Sequence, residues 1–185
     1  MDDIHSSYLL GLLFFLILCS AFFSSSETGL LSLNRYRLKH LAKEGHKGAK
    51  RVTRLLDRPD RLLGTILVGN NVVNILAASI ATVLAVDMWG EAGIAIATAG
   101  LTIIVLIFGE ITPKTLAALR PELVAFPASR VLSLLLRLLY PVVWLTSVIS
   151  NGLLRLFGID PTQRVSDSLS TDCLLYTSDA ADERS

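Results

Sequence analysis

The chain has 185 residues, 52% of them hydrophobic and 18% charged, with a mean hydropathy of +0.57. So apolar a composition excludes an ordinary soluble domain and points to an integral membrane protein. Net charge is +1, yet ten of the 17 Lys and Arg fall between Arg35 and Arg61 and none precedes Arg35. Cys19 and Cys173 make no disulfide framework or zinc site, and His5, His40 and His46 form no ligand cluster. No nucleotide-binding glycine motif or nucleophile–histidine signature is present, so no covalent chemistry is implied and the chain is read as a non-enzyme.

Residues Ser6 to Ser26 carry no charge, enough for one spanning helix at the roughly 20 residues a bilayer requires. A secretory signal peptide is the rival reading, but Asp2 and Asp3 stand where its positive region would be. From Arg35 to Arg61 the texture changes: Leu38, Leu41, Val52, Leu55 and Leu56 recur at helical spacing among the ten basic residues. This predicts amphipathic helix on the membrane surface, interrupted near Gly45 to Gly48. Nucleic-acid binding is the alternative for such a run, and spanning segments on both sides argue against it. The positive-inside rule places the segment in the cytoplasm and the N-terminus outside.

Leu62 to Val86 is the second uncharged run, ending in a turn at Asp87-Met88-Trp89-Gly90-Glu91. Ala92 to Gly109 returns inward, so the second and third helices make an antiparallel hairpin. The small residues Ala77, Ala78, Ala81, Gly93, Ala97 and Gly100 recur at helical spacing and permit close packing. Between Pro121 and Phe157, Arg130, Arg137 and Pro141 interrupt the apolar pattern, which favours helices lying partly in the cytoplasmic leaflet over a fourth span. The domain is therefore expected over 1–160. Residues 161–185 are expected to be an unstructured tail, its end (CLLYTSDAADERS) resembling translated adapter sequence.

The third run closes on Gly109-Glu110-Ile111-Thr112-Pro113-Lys114. A carboxylate at the end of a membrane-grade segment is costly without a partner. Pro113 has no N–H, so in a helix the carbonyl of Gly109, four residues back, loses its donor. Ser20 and Ser24 share a face of the first helix, and Asn70 and Asn74 share one of the second. Two hydroxyls, one or two amide oxygens, one freed carbonyl and one carboxylate make five or six oxygen ligands, the number octahedral Mg²⁺ wants. Each has a duller explanation: serines bonding back to their own helix, asparagines as interhelical glue, Glu110 paired with Lys114. Their joint occurrence on three successive helices favours ion binding.

These same stretches, Ser20 to Gly29, Gly69 to Asn74 and Phe108 to Lys114, resemble the transmembrane domain of the CorC/CNNM (cyclin M) family, in particular bacterial HlyC/CorC transporters. The resemblance covers Ser6 to about Asp160. It implies Mg²⁺ export, thought to be coupled to Na⁺, and an association with cobalt resistance. It also implies a homodimer of three-span subunits, each belted by juxtamembrane helices, with an ion among the first three helices. Ser20, Ser24, Asn70, Asn74, Gly109 and Glu110 stand at the family's motif positions. Family members continue into a CBS-domain pair that binds adenine nucleotide, so ATP would act only through domains this polypeptide lacks.

The expectation is an all-α integral membrane protein of the bacterial inner membrane: three spanning helices, amphipathic juxtamembrane helices, lipid and a second copy as partners, and no nucleic acid. Its function is expected to be Mg²⁺ efflux. The rivals are a non-transporting Mg²⁺ sensor and a membrane-damaging protein, the second disfavoured by three uncharged runs.

Overall fold

In hydrocarbon every backbone N–H and C=O must be satisfied within its own segment, which leaves helix as the economical solution for a chain this apolar. The computed structural model describes residues 2–156, and those residues form eight α-helices, one 3₁₀ turn, one π-helical segment and no strand. The expected tail over 161–185 lies outside the described residues. Met1–Val143 make one compact unit, and Trp144–Ser185 belong to a second, of which the end of the last helix is described.

Helix α1 (Asp2–Leu31) continues past the uncharged run, carrying Glu27 within it. Asn34 then caps α2 (Arg35–Lys43), its side-chain oxygen accepting from the N–H groups of Tyr36 and Arg37. Gly45, at φ +94°, turns the chain into α3 (Lys47–Leu56), so the basic segment is two short helices broken where the glycines predicted. Leu38 of α2 and Ala49, Val52 and Leu55 of α3 are buried against Phe23, Leu30 and Leu33. The cations face away, except Arg51, which is half-buried. This is the amphipathic split read from the sequence.

Helix α4 (Pro59–Trp89) begins with proline in its first turn, where the missing N–H matters least. It runs into the expected turn as far as Trp89, because Gly90 is the residue able to take φ +66°. A 3₁₀ turn, Gly90–Ala92, leads into α5 (Gly93–Ile104). The apolar stretch 61–119 is 59 residues long. As one straight helix it would measure about 88 Å, nearly three bilayer cores. It doubles back instead. A Cβ on Gly93 would lie 2.4 Å from the Ala85 carbonyl oxygen, so the two helices touch backbone to backbone at the turn.

The chain then widens into a π-helical segment, Val105–Ile111, before α6 (Thr112–Leu119), α7 (Pro121–Leu138) and α8 (Tyr140–Leu156). The expected break at Pro113 is therefore a change of register, with helix continuing to Leu119. Pro113 sits in the first turn of α6, where it is tolerated. Among the described residues only 6–31 and 61–119 are long and apolar enough to cross a bilayer; neither α7 nor α8 qualifies by itself. Just 28% and 11% of the most apolar windows of those two stretches are buried inside the chain. Phe14, Phe15, Leu18, Leu67, Ile75 and Ile103 are exposed, as residues in contact with lipid should be.

Of the small residues expected to mediate close packing, Ala77, Ala81 and Gly93 are buried within the chain itself, while Ala78 and Gly100 are exposed. Gly93→Ala should lower stability by about 1–3 kcal/mol, because backbone must move to admit the methyl group. Gly100→Ala, whose methyl would meet nothing within 4 Å, should be neutral or stabilising by up to about 1 kcal/mol. Thermal unfolding in detergent compares the two, and equal shifts would contradict a close α4–α5 turn.

Candidate metal site

Two glycines decide how closely α1, α4 and the π segment approach. A Cβ on Gly69 would fall 2.5 Å from the Phe23 ring, so only glycine seats that ring against α4. One residue on, Asn70 meets α1: Ser20 Oγ donates to Asn70 Oδ1 at 3.3 Å. A Cβ on Gly109 would lie 3.1 Å from that same Ser20 Oγ. Ser20, Asn70 and Gly109, from three separate elements, therefore converge on one point.

Hydroxyls elsewhere in the spans follow the duller reading. Ser26 donates to Phe22 O, Thr65 to Arg61 O, Ser79 to Ile75 O, and Thr98 and Thr102 to the carbonyls four residues back. Ser24 does not. It is 1% exposed, and its Oγ has no hydrogen-bond partner among the described residues. Asn74 Oδ1 is likewise buried without a partner. A buried oxygen left unmatched costs about 1–3 kcal/mol. These two sit one turn beyond Ser20 and Asn70 along their helices.

Asn74 and Glu110 line one cavity of about 240 Å³, walled otherwise by Leu101, Thr102, Val105 and Leu106. That is room for several waters. The expected surface pair of Glu110 with Lys114 is not formed: among the described residues Glu110 has no ion-pair or hydrogen-bond partner. In the π segment the Thr112 N–H bonds Ile107 O, five residues back. The donor that Pro113 lacks would have served Gly109 in the α register and Phe108 in this wider one. π-segments of this kind occur frequently at functional sites.

The sequence named Ser20, Ser24, Asn70, Asn74, Gly109 and Glu110, and all six lie on α1, α4 or the π segment. It missed Thr102 and the apolar wall, although Thr102 stands eight residues before Glu110 on a helical repeat. No three His, Cys, Asp or Glu side chains come together among the described residues. Any cation held here would rest on one carboxylate and neutral oxygens.

The model of the cyclin M transmembrane N-terminal domain matches residues 11–184. The chain belongs to the cyclin M transmembrane family. This cyclin M domain is 52% identical over 153 residues to the UPF0053 inner membrane protein YfjD of Escherichia coli, an overlap of 83% of this chain and 36% of that protein. A UPF0053 protein of Haemophilus influenzae is 49% identical over 159 residues, covering 86% and 38% of the two chains. The polyamine export protein of Salmonella typhimurium is 29% identical over 183 residues, covering 87% and 39%. The chain thus spans little more than a third of the length of these relatives. It is an all-helical membrane domain.

Ser20→Ala should destabilise the domain by about 0.5–1.5 kcal/mol through the lost bond to Asn70. Ser24→Ala removes an unmatched oxygen and should be neutral or stabilising. Thermal unfolding in Mg²⁺-free buffer tests the contrast; a larger loss for Ser24→Ala would contradict the unpartnered hydroxyl.

Proposed function

We propose that this domain binds a divalent cation between α1, α4 and the π segment and carries it out of the cytoplasm, with Mg²⁺ as the cargo and Na⁺ as the coupling ion. The observation that carries the reading is the buried, unpartnered Asn74 Oδ1 in one cavity with an unpaired Glu110 on a register-shifted helix, with Ser24 Oγ a second buried, unpartnered oxygen on α1. Hard oxygens suit Mg²⁺, which also keeps several of its waters, and the cavity has room for them. One carboxylate makes a site weak enough to release its ion. No covalent step is involved.

Alternating access would expose Glu110 first to one side and then to the other. With ten basic residues between Arg35 and Arg61, the positive-inside rule sets α2 and α3 in the cytoplasm and the N-terminus outside. A homodimer would cover part of the exposed α4 and α5 surface, lipid the rest. A non-transporting Mg²⁺ sensor would use the same site without flux.

A second reading is export of an organic polycation. The name of the Salmonella relative supports it, as do Leu101, Val105 and Leu106, which would accept a methylene chain beside a carboxylate.

Glu110→Gln tests the site. It keeps size and one carbonyl oxygen but removes the charge, and a net loss of about 2.7 kcal/mol would weaken Mg²⁺ binding about a hundredfold. Ser24→Ala should weaken it less, since water can replace a neutral ligand. Calorimetric titration with Mg²⁺ and with spermidine measures both cargoes. An unchanged Mg²⁺ isotherm in folded Glu110→Gln protein would falsify the ion site, and spermidine binding alone would favour the second reading.

A further inference from the structure

Between α3 and α7 lies another cavity, about 520 Å³, far from neutral. His46, Lys47, Gly48 and Arg51 line it from the α3 side, Phe126 and Arg130 from α7. Three formal cations contribute to it and no carboxylate does. Among the described residues Lys47, Arg51 and Arg130 have no ion-pair partner. Arg51 Nε is buried and donates to nothing. A guanidinium N–H removed from water without an acceptor is unfavourable, so the pocket is short of an anion rather than of a side chain.

The backbone adds to the same deficit. Lys47 and Gly48 open the ten-residue α3, whose N-terminal amides carry the positive end of the helix dipole. His46 Nδ1 accepts from the Ala49 N–H, which leaves the first amides to other partners. Gly48 brings α3 tight to α7, since a Cβ there would sit 3.0 Å from Phe126 Cβ. The His46 and Phe126 rings lie with centroids 4.9 Å apart. A neighbouring basic cavity, between Arg54, Arg58 and Arg137, is less suited: Asp57 shares it and Arg61 rests 5.5 Å over the Tyr140 ring.

We propose that the α3–α7 cavity binds a phosphate group, with Arg51 and Arg130 as its guanidinium clamps and Lys47 and the start of α3 completing the charge. Guanidinium forks match phosphate oxygens in pairs, which lysine alone does not. Basic pockets at the cytoplasmic rim of membrane domains meet lipid headgroups, so an anionic phospholipid of the facing leaflet is the favoured source. Such a ligand would tie α3 to α7 from outside the apolar core. The inference is independent of the ion site and survives its failure.

The full chain is purified in mild detergent with phosphatidylglycerol added, and bound lipid is counted by native mass spectrometry. Parallel samples receive inorganic phosphate and are followed by thermal unfolding. Arg51→Gln and Arg130→Gln should each lower lipid retention about fivefold. Arg130 is exposed, so its replacement spares the core. Lys39→Gln, exposed on α2 and outside the cavity, should change nothing. Stabilisation by inorganic phosphate that Arg130→Gln abolishes, without preferential lipid retention, would keep the phosphate site and assign it to a free phosphate. If neither ligand distinguishes the pocket variants from wild type, or if Lys39→Gln loses as much as Arg130→Gln, the site is overturned in favour of diffuse charge.

Discussion

Gly109 can approach Ser20 because it has no side chain; a Cβ would lie 3.1 Å from the hydroxyl oxygen. That contact, with the Ser20–Asn70 bond beside it, locks three apolar segments together at a point where lipid gives no hydrophobic reason for them to meet. Once α1, α4 and the π segment are joined there, Ser24 and Asn74 follow one turn on along their own helices. Their oxygens are then buried without partners. Glu110 follows Gly109 directly, so the same register that fits the glycine against α1 sets the carboxylate beside the cavity shared with Asn74. Close packing and unmet polarity are two results of one arrangement.

Much of this was legible in the sequence because the relevant forces are periodic or local. Uncharged runs gave the spans, the leucine spacing between Leu38 and Leu56 gave the amphipathic belt, and Gly45 and Gly90 marked turns that need positive φ. Ser20, Ser24, Asn70 and Asn74 were identified by the expense of polar groups in a bilayer and by i,i+4 spacing. What sequence could not supply was register. Pro113 signals a lost donor, but an α-helix can meet that loss by stopping or by widening, and α-helical spacing does not distinguish them. The π segment resolves the choice through the Thr112–Ile107 bond. The missing Glu110–Lys114 pair was hidden for a similar reason, since i,i+4 proximity assumes regular helix throughout.

Charge is sorted as sharply as polarity. Glu110 is the one acid lining the candidate site, while the belt gathers basic residues on α2, α3 and α7, only partly neutralised, as by Arg37 and Glu122 at 2.7 Å. Such an exposed pair contributes up to about 1 kcal/mol. Burial of Leu38, Val52, Leu55 and Leu132 holds the belt against α1 and α4 far more firmly. The cations are therefore left available to membrane phosphates, while Glu110 is the one negative charge at the candidate site.

As proposed, the Glu110 site moves Mg²⁺ rather than merely holding it. The direct measurement is Mg²⁺ flux in proteoliposomes containing the full chain, read by an encapsulated Mg²⁺ indicator with and without an opposing Na⁺ gradient. Flux above that of protein-free vesicles is expected, faster with the gradient and abolished by Glu110→Gln. Flux no greater than in protein-free vesicles, from protein that still binds Mg²⁺, would contradict transport and leave a sensor.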